Sequence, residues 1–401
     1  MSEENSLAKI VLKGQADRRI RAGHIWVYSN EVDTNASPLK AFTPGQQVEV
    51  IAASGKPMGV GFVNPNALIC VRLFTRSARE ITPKFLEKRL QSALALRECH
   101  YEKPYYRLVY GDSDGLPGLV VDRFGSVFVV QISSAGMEQF REEVVRILEK
   151  LFQPQAVVMK NDGKMREVEQ LDSYVEVAYG TLPEKTLLEE NGVHFEIDPI
   201  GGQKTGWFFD HRESRAKLRH YVKGKRVLDL FCYAGGWGIQ AASFGASEVV
   251  GVDAAENALQ VFQRNAELNG VAERCKTIQG DVFEVMKTLI QEGEKYDVVI
   301  CDPPALIPRR KDMKNGEQAY ARLNQMALRL LADQGILVSA SCSMHLSMDT
   351  HMDLVRSAGR HVDRYLQVVG QFGQAPDHPI LPGVPETAYL KALFARASWR
   401  W

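Results

Sequence analysis

The chain has 401 residues, 45% of them apolar and 24% charged. That composition is globular and leaves room for two or three domains. The 49 basic and 49 acidic residues cancel, so a nucleic-acid partner would have to be held by local basic surfaces, not by a basic whole.

No apolar run reaches the roughly 18 residues of a membrane span, and the N-terminal stretch lacks the apolar core of a signal peptide. The cysteines, Cys70, Cys99, Cys232, Cys275, Cys301 and Cys342, form no Cys-x-x-Cys pair, which weakens zinc and thioredoxin-like readings. Reduced thiols in a cytoplasmic protein without a membrane partner are the expectation.

Residues 1–75 read as short strands near 9–14, 26–32, 46–52 and 68–74, with turns at Pro44-Gly45 and Ser54-Gly55 and a short helix near 16–22. A small β-barrel is expected there. Residues 76–188 read as a mixed α/β unit. Thr82 and Pro83 open a helix, strands follow near 118–124, 126–134 and 156–160, and the apolar spacing of Phe140, Val144, Ile147, Leu148 and Leu151 predicts one amphipathic helix over 137–152.

From 189 to 401 strands and helices alternate. Strands are expected near 226–231, 248–253, 275–281, 296–304 and 335–343, and helices near 237–245, 254–270, 282–293 and 319–332. That alternation predicts a doubly wound parallel sheet, with a ligand site at the carboxyl ends of its strands.

Five features carry chemistry. The apolar strand containing Asp229 runs into a Gly-rich turn, Phe231 to Gly238, that opens a helix. Its glycines let the backbone approach a ligand, and no Lys-Ser/Thr follows, so it is not a phosphate-binding P-loop. Asp253, about 20 residues on, stands where an acid can bind ribose hydroxyls. Asp281 closes the next strand segment, where a carboxylate can reach an adenine edge. Either acid can instead be a helix N-cap. Asp302-Pro303-Pro304 puts a carboxylate on a loop stiffened by two prolines. Ser341-Cys342-Ser343 follows a strand whose carboxyl end faces the expected cleft. A buried inert thiol is the competing reading of Cys342.

This ordered set resembles that of class I S-adenosylmethionine methyltransferases. More narrowly, the chain resembles the ribosomal RNA large-subunit methyltransferase I family of 5-methylcytosine enzymes. The resemblance rests on residues 24–29, Gly111–Leu119, Gln203–Arg212, the Phe231–Gly236 turn, Asp302-Pro-Pro, Ser341-Cys-Ser and Ala375–Pro379.

It implies an N-terminal PUA domain (1–75), a central α/β domain (76–188) and a Rossmann-like catalytic domain (189–401). S-adenosylmethionine is the implied cofactor and large-subunit ribosomal RNA the implied partner. A homodimer stays open. Cys342 matches the nucleophile that adds to C6 of cytosine, and Asp302 the acid that holds the base's polar edge. The cofactor-binding set implied is Asp229, Phe231, Tyr233, Gly235, Gly236, Asp253, Asp281, Asp302, Lys204, Thr205 and Asp210. RNA is expected on the barrel face of Lys13, Arg18, Arg19 and Arg21, as in PUA domains, and RNA phosphates on Arg309, Arg310 and Lys311, although a solvated loop is an equal reading of that second cluster.

Many RNA 5-methylcytosine enzymes carry a second cysteine directly after Asp-Pro-Pro. Here that residue is Ala305, and Cys301 reads as core. No residue is assigned as the base for the C5 proton, and His378 reads as structural. Guanine methylation on the same scaffold, or an RNA-binding assembly factor with a vestigial catalytic domain, are the competing functions.

Overall fold

The computed structural model describes residues 7–77 and 79–399. The N-terminal stretch behind the signal-peptide reading lies partly outside them. Contacts divide the chain into two units. One comprises residues up to Thr186 with Asp198–Phe209 and Pro376–Thr387, the other Leu187–Ile197, Asp210–Ala375 and the residues from Ala388 on.

The first unit opens with β1 (Ala8–Val11), helix α1 (Arg18–Arg21), β2 (Trp26–Tyr28), β3 (Gln46–Ile51), β4 (Pro57–Val63) and β5 (Ile69–Thr75). They form a sheet in the order β1-β3-β4-β5-β2. A bridge between Leu12 and Val32, just past the two edge strands, ties its ends. Ile10, Val27, Val48, Val50 and Val71 fill its interior, as alternation along short strands predicts.

Next come α2 (Pro83–Glu98), β6 (Tyr105–Tyr110), β7 (Leu119–Phe124), β8 (Val127–Ile132), α3 (Ala135–Glu138), α4 (Arg141–Phe152), β9 (Ala156–Asn161), α5 (Met165–Val168) and β10 (Tyr174–Gly180). Their strands form a second sheet, β10-β9-β8-β7-β6, in which only β8 and β9 pair in parallel. The Thr82 side chain caps α2 through the Phe85 N–H. The single helix expected over 137–152 is two helices. Ser134 caps the first through the Met137 N–H, and Phe140 leaves helical geometry before α4 begins. The apolar period of α4 remains, with Val144, Ile147 and Leu148 buried.

The second unit contains, from Leu187 on, the hairpin β11 (Thr186–Glu190) and β12 (Val193–Ile197), then α6 (Arg212–Ala216), β13 (Arg226–Leu230), α7 (Gly238–Ser243), β14 (Glu248–Asp253), α8 (Glu256–Leu268), β15 (Cys275–Gln279), α9 (Val282–Gln291), β16 (Tyr296–Cys301), α10 (Met313–Leu330), β17 (Leu331–Ser341), α11 (Met348–His361), β18 (Tyr365–Phe372) and β19 (Lys391–Ser398). The sheet order is β15-β14-β13-β16-β17-β19-β18.

β13 pairs in parallel with both β14 and β16, whereas β19 runs antiparallel to both its neighbours. The central strands are near-continuous Val, Ile and Leu runs because helices cover both faces. Strand order reverses between β13 and β16, which opens a crevice at their carboxyl ends.

Candidate active site

The turn after β13 is held in an uncommon backbone shape. Phe231 (φ +62°), Tyr233 (φ +47°) and Gly235 (φ +86°) are all left-handed. For the two non-glycine residues that conformation costs of order 1–3 kcal/mol each, which surrounding contacts must offset. The Tyr233 N–H donates to Asp253 Oδ2 at 3.0 Å, and the Ala255 N–H to Asp253 Oδ1 at 2.9 Å. Asp253, the last residue of β14, thus fastens the turn to its neighbour.

Asp229 lies fully buried within β13 and accepts the Gly238 N–H on Oδ2 at 2.8 Å. A Cβ on Gly238 would stand 2.9 Å from that oxygen, so only glycine lets the helix start this close. Burial pushes the Asp229 carboxyl up to about 8, against the pull of the Gly238 N–H. Its Oδ1 is buried and has no hydrogen-bond partner among the described residues. An orphaned buried oxygen beside a glycine cradle suits a bound cationic nucleoside.

Asp302 follows β16 and is gripped from two sides. The Trp237 Nε1–H donates to Oδ2 at 2.9 Å, and His211 Nε2 lies 3.3 Å from Oδ1. The two rings also pack on each other, with centroids 5.3 Å apart. Burial alone would raise the Asp302 carboxyl, but the His211 charge and the two donors hold it below its ordinary value. Burial alone would likewise lower the His211 imidazole, and Asp302 overrides it, so that pKa is raised.

Cys342 sits just past β17, with Sγ 3.9 Å from the Pro303 carbonyl oxygen. The loops after β16 and β17 therefore bring the thiol beside the Asp-Pro-Pro segment. The flanking serines explain the Ser-Cys-Ser pattern. Ser341 Oγ donates to the Tyr320 hydroxyl at 2.9 Å, and that hydroxyl and Ser343 Oγ share a second 2.9 Å bond. Ser343 Oγ also accepts the Ile307 N–H. Both serines are buried while Cys342 is half-buried. Lys391, at the start of β19, is buried and donates to the Ser343 and Tyr389 carbonyls. Burial lowers its ammonium to about 8, partly countered by Cys342. The coupling places a cation where it favours a thiolate.

Sequence reasoning missed His211 and Lys391. The available signals were a histidine inside the Gln203–Arg212 segment and a lone lysine within an apolar strand.

The other expected residues scatter. Asp210 is buried and accepts the Tyr389 hydroxyl on Oδ2 at 2.5 Å. Gly236 lies half-buried within the turn, and half-buried Phe231 packs against the core of the large sheet. Asp281 is exposed, two residues past the end of β15, and its Oδ1 caps α9 through the Phe283 and Glu284 N–H groups. Cys301 is buried in the core, its thiol pushed far up by burial.

Lys204 and Thr205 belong to the first unit. There the Thr205 hydroxyl donates to Asp122 Oδ2 at 2.5 Å, and Lys204 Nζ lies 4.9 Å from the centre of the Phe208 ring. His378 is also there, buried and 2.8 Å from Asp377.

Among the basic residues, Arg19 makes a bidentate pair with Glu31, Arg21 pairs with Asp17, and Lys13 donates to the Asn30 carbonyl. Arg18 is exposed. Arg309 pairs with Asp312, and Arg310 and Lys311 are exposed beside it.

The family model for S-adenosylmethionine-dependent methyltransferases matches residues 111–396, and that for a PUA-like domain matches 10–76. Ribosomal RNA large subunit methyltransferase I of Klebsiella pneumoniae (strain 342) is 34% identical over 394 residues, covering 97% of this chain and 98% of the relative. The chain belongs to the ribosomal RNA large-subunit methyltransferase I family.

The Photobacterium profundum member of that family is 35% identical over 387 residues, covering 95% of this chain and 97% of the relative. Among solved structures, a candidate S-adenosylmethionine-dependent methyltransferase from Streptococcus mutans superposes with a TM-score of 0.83 at 19% identity, covering 97% of this chain and 100% of that one. The protein SMU.776, solved with S-adenosylhomocysteine, gives 0.84 at 20%, with the same coverage. These show the expected fold: a Rossmann-like methyltransferase domain preceded by a PUA-like barrel. Like its family, the chain uses S-adenosylmethionine. No helix among the described residues is long and apolar enough to cross a membrane.

Proposed function

We propose that this chain methylates C5 of a cytosine in large-subunit ribosomal RNA through a covalent adduct with Cys342. The observation that carries the reading is the half-buried thiol beside the Asp302-Pro303-Pro304 loop, with Lys391 coupled to it. Bound S-adenosylmethionine supplies an electrophilic methyl on a cationic sulfur. Asp229, Asp253 and the Phe231–Gly236 turn hold it. Asp281 and Asp210 complete the set within this unit.

Cytosine C5 is a weak nucleophile, so the thiolate must first add to C6. An S–C6 bond forms and the C5=C6 π pair moves to C5. Asp302, kept ionised by His211 and Trp237, accepts a hydrogen bond from the exocyclic amine and fixes the ring. After methylation, loss of the C5 proton to a base returns the electron pair to the ring and expels the thiolate. The base must be flipped out of any stack, because Sγ has to approach the ring face.

The division into 1–75, 76–188 and 189–401 gives RNA holding to the barrel, through Lys13, Arg18, Arg19 and Arg21. Arg309, Arg310 and Lys311 would take phosphates next to the Asp-Pro-Pro loop.

Two measurements test the reading. Mass spectrometry of ribosomal RNA from cells lacking the protein should show one 5-methylcytidine missing. Cys342→Ala should abolish transfer while S-adenosylhomocysteine still binds. Undiminished transfer by that variant would refute the covalent route.

A further inference from the structure

A cleft of about 480 Å³ lies within the first unit, between β5, α2 and the turn after β6. That volume suits a small organic ligand. Its wall carries apolar side chains, among them Phe74 and Leu96. Arg76 and Arg89 also line it, and neither makes an ion pair among the described residues, although Asp112 and Asp114 line the same cleft.

Asp114 is committed elsewhere, to a bidentate pair with Arg97 at 2.6 and 2.7 Å. Asp112 accepts the Trp26 Nε1–H on Oδ2 at 3.2 Å, which leaves Oδ1 without a partner. Ser113 Oγ is equally unpartnered, and both atoms are buried.

Arg89 is held in place by two neighbours. Its guanidinium sits 5.1 Å from the centre of the Phe85 ring, and Gly115 packs so closely that a Cβ there would reach 3.1 Å from Nη1. Arg76 is anchored by one bond to the Ile20 carbonyl. Two guanidiniums lacking carboxylates, two orphaned oxygens and an apolar wall make one arrangement with three kinds of unmet valence.

We propose that this cleft is a nucleotide site. Arg76 and Arg89 take the phosphate, the base lies on the apolar wall, and its polar edge meets Asp112 Oδ1 and Ser113 Oγ. Arginine suits phosphate through its planar fork, and an unstacked base presents both an apolar face and a polar edge. Burial raises the Asp112 carboxyl against the pull of Arg72 and Trp26. The ligand is one nucleoside monophosphate unit, either free or unpaired within an RNA strand. The site goes beyond the methyl-transfer reading and stands even if Cys342 is inert.

Calorimetry on the full chain tests it, with saturating S-adenosylhomocysteine present to fill the cofactor site. The probes are the four nucleoside 5′-monophosphates, the matching nucleosides and a single-stranded hexaribonucleotide. At least one monophosphate should bind saturably, and its nucleoside at least tenfold more weakly. Arg76→Ala/Arg89→Ala should weaken binding at least tenfold with S-adenosylhomocysteine affinity unchanged.

Ser92→Trp, at an exposed position lining the cleft, should block it equally without removing a charge. Tighter binding of the hexamer assigns the site to RNA, and equal binding assigns it to a free nucleotide. No saturable binding of any probe, or binding that both variants leave intact, overturns the proposal.

Discussion

Replacing His211 by Gln tests how Asp302 is held. The histidine is 4% exposed at its side chain and stands 3.3 Å from Asp302 Oδ1. Asp210 also raises its pKa, while Arg215 opposes. Because the folded pKa lies above the unfolded value of about 6.5, its contribution to stability is complete below that pH. It is lost as pH rises through the folded pKa. Asp302 behaves oppositely. Its lowered pKa gives stability above an unfolded value of about 3.9, lost as pH falls through the folded one.

Removing one partner of a buried pair costs about 3–5 kcal/mol. A glutamine amide can restore one neutral bond, worth about 1 kcal/mol. At about pH 6 the net loss should then be roughly 2–4 kcal/mol. For a unit of about 200 residues that lowers the melting temperature by around 10 °C. Above the folded pKa of His211 the wild-type imidazole is neutral, so there the difference should shrink to roughly 1 kcal/mol, the worth of a neutral bond. Scanning calorimetry of both proteins on the two sides of that pKa measures this. Equal losses at both would show that no ion pair joins His211 to Asp302.

Three further outcomes follow from the same site. Gly238→Ala should weaken S-adenosylhomocysteine binding at least tenfold, because the added Cβ would meet Asp229 Oδ2 at 2.9 Å and the Phe262 ring at 3.0 Å. Calorimetric titration reads the loss. Lys391→Met should slow alkylation of Cys342 by iodoacetamide several-fold near neutral pH and move its pH profile upward, since removing a cation disfavours the thiolate. An unchanged profile would dismiss the coupling. Tyr320→Phe removes the hydroxyl shared by Ser341 and Ser343 and should cost about 1–3 kcal/mol in chemical denaturation.

The parts of the fold with a short-range signal were legible. Val-Ile-Leu runs announced β13, β14, β16 and β17, and glycines marked the turn after β13. The strands missed had no local distinction. β18 leaves Val368 and Val369 exposed and so lacks an apolar face to read, and β19 takes its place through pairing with both β17 and β18.

The expected helix over 137–152 kept its apolar period across a break at Phe140, where the backbone leaves helical geometry and which a periodicity argument does not register. At the site, the loops after β16 and β17 bring Cys342 Sγ to 3.9 Å from the Pro303 carbonyl oxygen, a closeness that the strand alternation alone could not fix. For Asp281 the cap and the ligand are both available to one carboxylate, and sequence cannot choose between them. His211 and Lys391 act through their surroundings: the same side chains in solvent would carry no information about Asp302 or Cys342.

The position of β19 has a consequence for biosynthesis. This strand, late in the sequence, is inserted between β17 and β18 and delivers Lys391 to the neighbourhood of the thiol. A nascent polypeptide that has made everything up to β18 still displays β17 as an open edge, and partially synthesised chains are exposed to edge-to-edge association until β19 is made.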